Sequence, residues 1–241
     1  METIMKKYDY ALFDLDGTIL DTREGVISAA IFAMKQYGKD LPDQKALEEL
    51  IGPPIQVSFQ KLYGISDSEA MEMANIFRDA YKTDDFLFKA IPYDGIYDLF
   101  SSLIDAGIMI GIATYKREDY AKRLLNEKGF GKYTDYMYGS DLEGKQKKQD
   151  IIKRCLDRMG CEDYSRSVYV GDGKSDGSGA NSVGMNFVAV TYGFGFKTAT
   201  DAKEFYPVGI ANSCKEIKDI IINQSLKHKR ERGGRVNCEK R

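Results

Sequence analysis

Five short apolar runs, Tyr8–Phe13, Ile108–Ala113, Tyr136–Tyr138, Ser167–Val170 and Phe187–Thr191, read as buried strands, and segments of helical period separate them. The helical segments after Pro92 are Gly95–Ala106, Glu118–Lys128 closed by Gly129, Gln149–Met159 ended by Gly160, Ser178–Val183 and Ile217–Ile222. Strands that alternate with helices imply a parallel sheet with right-handed crossovers. Such a sheet binds its ligands at the carboxyl ends of its strands, so the residues just after each run are the ones to inspect.

The first two runs are far apart. From Arg23 to Tyr37, the residues Val26, Ile27, Ala30, Ile31 and Met34 recur at helical spacing, and helical patterns continue to about Ala80. Gly52-Pro53-Pro54 and Gly64 interrupt them, and Ser66 with Glu69 forms a capping-box pattern. No strand signal occurs in this stretch. The expected class is therefore α/β: a Rossmann-like, doubly wound parallel sheet from residues 1–20 and 89–225, with an all-helical insertion over 21–88. Residues 226–241 are rich in Lys and Arg and include Gly233-Gly234, which reads as a solvated tail in preference to a nucleic-acid surface.

Composition excludes several chemistries. The single histidine, His228, lies in the basic tail, so Ser-His-Asp, Cys-His and His-rich metal mechanisms lack their central residue. Cys155, Cys161, Cys214 and Cys238 form no C-x-x-C pair and no disulfide framework, and read as idle thiols. A net charge of −2 sets up no field toward nucleic acid or membrane. No apolar run reaches the roughly 18 residues of a membrane span, and Met1–Lys7 has no signal-peptide core. A cytoplasmic location is expected. Carboxylates, lysines, hydroxyls and a hard cation remain as the available chemistry.

Acids follow two of the strands. Asp14-Leu15-Asp16-Gly17-Thr18 directly follows the first run, and two carboxylates two residues apart there can flank one reacting atom. One can attack phosphorus while the other protonates the leaving oxygen and then activates water. Gly171-Asp172-Gly173-Lys174-Ser175-Asp176 follows a later strand and supplies the carboxylates that a hard cation such as Mg²⁺ needs. As an EF-hand loop this cluster fails, because Lys174 takes the third position and Val183 the twelfth. As a dinucleotide fingerprint it fails because Asp176 stands where glycine is needed. Thr114 follows the Ile108–Ala113 run, with Lys116 two residues on, and its hydroxyl can donate to a phosphate oxygen or cap a turn. Lys145, Lys147 and Lys148 precede a helix, and any of them is a candidate cation for phosphoryl chemistry.

These elements, in this order, resemble the haloacid dehalogenase superfamily over roughly residues 8 to 223. Asp14-Leu15-Asp16-Gly17-Thr18 is similar to its first motif, Ile112-Ala113-Thr114 to its second, a lysine near 148 to its third, and Gly171-Asp172 with Asp176 to its fourth. Asp21-Thr22, Ile51-Gly52-Pro53-Pro54 and Thr191-Tyr192-Gly193 match further, and the insertion resembles the family's small helical cap. Within the superfamily the chain is most similar to the phosphoglycolate phosphatase and 5′-nucleotidase relatives. The resemblance implies a phosphatase acting on a small phosphorylated metabolite, with Asp14 as nucleophile and Asp16 as general acid/base. Thr114, Lys148 and Gly17 bind the phosphoryl group in that scheme, and Mg²⁺ sits among Asp14, the Asp16 carbonyl and Asp172, with Asp176 as further ligand or support. Lys148 is preferred over Lys145 and Lys147 because the helix begins directly after it. Glycines at 173, 177 and 179 depart from the family pattern, which more often has a branched apolar residue after the second acid. A phosphomutase on the same scaffold, a dehalogenase, and a non-catalytic phosphoacceptor are the alternatives; the set of acids beyond the nucleophile argues against the dehalogenase. No sequence signal decides between monomer and homodimer.

Overall fold

The computed structural model describes residues 6–51, 53–141 and 146–223. Lys145, His228, Cys238 and the whole of the basic tail lie outside the described residues.

Strand β1 (Tyr10–Phe13) runs into the acidic turn, and a second short strand, β2 (Leu20–Asp21), follows it. Helices α1 (Arg23–Gln36), α2 (Gln44–Glu48), α3 (Ile55–Tyr63), α4 (Asp67–Tyr81) and α5 (Asp84–Leu87) come next, and the chain returns along β3 (Ile91–Pro92). β2 and β3 pair antiparallel, so one two-stranded ribbon carries the chain out to these helices and back. The short strands were not visible in the sequence, because two residues are too few to show a period. The Ser66–Glu69 capping box opens α4 as expected, with reciprocal bonds between side chain and backbone.

The rest alternates: α6 (Ile96–Asp105), β4 (Met109–Arg117), α7 (Glu118–Glu127), β5 (Met137–Ser140), α8 (Lys148–Arg158), β6 (Ser167–Gly171), α9 (Lys174–Ser182), β7 (Asn186–Val190), α10 (Ala199–Ala202), β8 (Gly209–Ala211) and α11 (Cys214–Lys218). Six strands form one sheet in the order β5-β4-β1-β6-β7-β8, parallel throughout. β1 lies between β4 and β6, so the sheet order reverses at the strand that carries the acidic turn. β8 is a strand that the sequence reading lacked; Gly209-Ile210-Ala211 is too short to announce itself beside a helix. β4 extends past Ala113 to Arg117 with a register irregularity against β5, which places Thr114 and Lys116 inside the strand and not after it.

Both faces of the sheet are covered. Along β1, Ala11 and Phe13 pack into one apolar cluster with α6, α7 and α11, while Leu12 points into a second cluster built from α8 and α9. β6 and β7 alternate likewise, with Val168, Val170, Val188 and Val190 on the first face and Tyr169, Phe187 and Ala189 on the second. Side chains alternate across a strand, so a sheet covered by helices on two sides needs near-continuous apolar runs. Phe13 packs against Phe100 of α6 at 4.8 Å between ring centroids. Cys155, Cys161 and Cys214 are buried free thiols. Among the described residues, no helix is long and apolar enough to cross a membrane.

Candidate active site

Parallel pairing of β1 with β6 in the register Phe13↔Val170 brings the residues that follow each strand side by side. Asp14 leaves β1 with its N–H donating to Val170 O at 2.9 Å. Asp172 stands one residue beyond β6, and its Oδ2 accepts from the Phe194 and Gly195 N–H groups at 2.6 and 2.9 Å. Asp176, in the first turn of α9, accepts from the Gly173 N–H on Oδ2 at 2.9 Å. One oxygen each from Asp14, Asp172 and Asp176 lies within 4.8 Å of the other two, and all three side chains are buried.

Gly17 turns the chain directly after the two acids of the first motif with φ +80°, and a Cβ there would fall 2.4 Å from Asp172 Oδ2. A side chain at 17 would thus push the two acidic turns apart. Glycine in α9 serves a different end. A Cβ on Gly177 would lie 2.5 Å from the Phe205 ring, and one on Gly179 would lie 3.0 Å from Lys148 Cγ. The unusual glycines after Asp176 thus let Phe205 and the Lys148 stem pack directly on the helix backbone. Asp176 is held there at 1% exposure.

Lys148 begins α8, and its side chain is 3% exposed. Its Nζ lies 2.6 Å from Asp14 Oδ1 and 2.8 Å from Asp176 Oδ1. Its backbone N–H donates to the Tyr115 hydroxyl at 2.8 Å, and its Nζ lies 5.4 and 5.5 Å from the Tyr115 and Tyr169 ring centroids. Neighbouring Lys147 is exposed. Asp16 stands apart from the other acids: Lys116 Nζ donates to its two oxygens at 2.9 and 3.2 Å. Thr114 is 1% exposed, and its Oγ1 accepts from the Lys116 N–H at 3.1 Å. Asp14, Lys148, Asp172 and Asp176 therefore converge, Thr114 shares their cavity, and Asp16 faces it paired to Lys116.

Three buried carboxylates surround one ammonium, which leaves the cluster short of positive charge. Burial pushes the Asp14 carboxyl up to about 7 against the pull of Lys148, with Asp176 and Asp172 adding to the rise. Burial likewise pushes Asp172 up to about 6. Burial disfavours the Lys148 ammonium, yet Asp14 and Asp176 outweigh it and hold that group well above its ordinary value. Asp176 Oδ1 is buried, with the shared Lys148 ammonium 2.8 Å away. An all-oxygen donor set, three carboxylates sharing one ammonium and the surplus negative charge that results fit a hard divalent cation of the Mg²⁺ type.

Above this floor lies a cavity of about 710 Å³, walled on its far side by residues of the helical insertion. Ile51, Ile55, Phe77 and Tyr81 give that wall its apolar character, and Gln56 and Arg78 give it polar groups. Tyr81 covers the Lys116 ammonium at 4.8 Å from ring centroid to Nζ. The sequence reading did not single out Tyr81, Tyr115, Tyr169, Phe194, Gln56 or Arg78. Nothing local marks them, apart from Thr191-Tyr192-Gly193, which leads directly into the loop that grips Asp172.

The family model for haloacid dehalogenase-like hydrolases matches residues 11–190. Over 190 residues the chain is 34% identical to a 5′-nucleotidase of Pseudomonas aeruginosa, covering 78% of this chain and 85% of that protein. It is 28% identical to tyrosine-protein kinase PtkA of Mycobacterium tuberculosis over 211 residues, 87% of this chain and 71% of the other. The crystal structure of a "predicted phosphatase" from Clostridium acetobutylicum superimposes with a TM-score of 0.80 at 30% identity, covering 91% of this chain and 99% of that one. With the matched region spanning both acidic turns, the chain belongs to the haloacid dehalogenase-like hydrolases.

Proposed function

We propose that this hydrolase is a Mg²⁺-dependent phosphatase that releases phosphate from a small phosphomonoester, of the 5′-nucleotide or phosphoglycolate kind, through an aspartyl-phosphate on Asp14. The observation that carries this reading is the buried convergence of Asp14, Asp172 and Asp176 with Lys148 at the floor of a roofed cavity.

Asp14, Asp172 and Asp176, with the Asp16 backbone carbonyl, are the groups that would hold the ion. When bound, it offsets charge on the transferred phosphoryl group. In the proposed sequence, Lys148 and the Thr114 hydroxyl bind phosphoryl oxygens. An Asp14 carboxylate oxygen forms a bond to phosphorus as the bond from phosphorus to the leaving oxygen breaks. Asp16 gives its proton to the leaving alcohol. It then takes a proton from the water that attacks the aspartyl-phosphate and frees Asp14 and inorganic phosphate. Lys116, bonded to both Asp16 oxygens, orients that carboxyl group toward the cavity.

Residues 21–88 form the cap in this reading, with 1–20 and 89–225 as the catalytic core. The cap closes over the ester and limits the water that reaches Asp14. The apolar wall from Ile51, Ile55 and Phe77 fits that task. The test is Asp14→Asn, which keeps size but removes the nucleophile. Phosphate release from a panel of phosphomonoesters with Mg²⁺ should be lost in the variant. Wild-type rates in it would end the proposal.

A further inference from the structure

Every half-buried or buried cation that faces the cavity has an acid partner except one. Lys148 is paired with Asp14 and Asp176, Lys116 with Asp16, and Arg117 with Asp119 at 2.6 Å. Lys174 reaches Glu204 at 3.6 Å, and Lys147 is exposed to water. Arg78 of α4 is half-buried in the cavity wall and has no carboxylate among the described residues. Its NH2 donates to Gln56 Oε1 at 3.0 Å, and its NH1 to Asn75 Oδ1 at 3.0 Å and Met71 Sδ at 3.3 Å. These neutral partners fix the guanidinium without cancelling its charge. Burial holds that group below its ordinary value, Arg117 adds to the effect, and only the Tyr120 phenol, with no carboxylate beside it, works the other way.

A half-buried, uncompensated guanidinium is costly on its own and gains most from an anion. Arg78 lines the cavity from α4 of the insertion, whereas Lys148 and Asp14, assigned above to the phosphoryl group, line it from the sheet side. Tyr81, one helical turn further along α4, already touches Lys116, which bonds to Asp16. On the phosphatase reading, the leaving group would lie between Asp16 and the part of the cavity that Arg78 lines. We infer that Arg78, fixed by Gln56, recognises a second anionic group on the substrate, so that the preferred ester carries a carboxylate or phosphate on its leaving group in addition to the phosphate removed. This rests on the phosphatase reading above. It selects anionic leaving groups over neutral ones such as nucleosides.

The experiment compares matched esters that differ in the second charge: 2-phosphoglycolate against 2-hydroxyethyl phosphate for a short reach, and 6-phosphogluconate against glucose 6-phosphate for a long one. Phosphate release with Mg²⁺ gives kcat and KM for each. In at least one pair the wild type should favour the charged ester. Arg78→Gln should shrink that preference about tenfold or more, mainly through KM, and Arg78→Lys should restore part of it. Thermal melts of both variants verify folding. If the neutral member is as good as the charged one in both pairs with the wild type, the inference fails with no variant needed. A preference that survives Arg78→Gln overturns it as well. In both cases the phosphatase reading stands, since phosphate is still released. No release from any of the four esters or from a 5′-nucleoside monophosphate would overturn both.

Discussion

The sheet side of the cavity presents Asp14, Asp172, Asp176 and Lys148 at exposures of 7% or less, each gripped by an ion pair or a backbone N–H. The helical side presents Ile51, Ile55 and Phe77, with Gln56 and Arg78, which has no carboxylate partner among the described residues. The first is a buried charge cluster in which strand register sets Asp14 and Asp172, and the starts of α8 and α9 supply Lys148 and Asp176. The second is a surface of separate helices, hung on the short β2–β3 ribbon. On the proposed function, the difference is a division of labour: chemistry on the side held by buried ion pairs and backbone N–H groups, and selection on the helical side, where side chains can vary without disturbing it.

That division can be broken or sharpened by experiment. Asp14→Asn should lower kcat by roughly 10⁴-fold or more, since it replaces the attacking carboxylate with a neutral amide. A loss under tenfold in a steady-state assay would place the nucleophile elsewhere. Lys148→Ala comes next. It leaves the Asp14–Asp176 pair without its buried cation, so the protein should lose about 3 kcal/mol of stability in metal-free denaturant titrations. Mg²⁺ should return part of that loss, because it supplies the missing positive charge. An unchanged midpoint would mean that the acids are compensated in another way.

Metal binding itself gives a smaller stability effect. Mg²⁺ at about 100 times its dissociation constant should stabilise the protein by about 2.7 kcal/mol, which corresponds to a rise in Tm of roughly 5–10 °C. Asp172→Asn should abolish that rise in a calorimetric scan. A rise that persists in this variant would detach the ion from the sheet-side cluster. The smallest effect belongs to the helical side. Gln56→Ala frees the Arg78 fork from one of its fixed partners, and should raise KM for the best substrate a few-fold while lowering kcat by less. A fall in kcat comparable to that of Lys148→Ala would show that the two sides are not separable.

How much of this was legible in the sequence depends on the range of each interaction. The apolar runs gave β1, β6 and β7, because a strand buried on both faces must be apolar along its length. The positions of Asp14 and Asp172 followed, because each comes directly after such a run. β8 and the β2–β3 ribbon escaped, since two or three residues carry no period. Glycines 177 and 179 looked like an irregularity in sequence. In the fold they are the contact surface for Phe205 and the Lys148 stem.

The sequence by itself determined the class of fold, the helical insertion and the identity of the acids, because hydrophobic period and strand-end position are local properties of a chain. Only the tertiary structure decided which lysine enters the cluster, that Asp16 faces Lys116 and not the other acids, and that Arg78 stands without an acid among the described residues. Those facts depend on distances between segments far apart in the chain. The packing of α8 on β4, and of α4 on α1 and α3, sets those distances, and no local pattern encodes them.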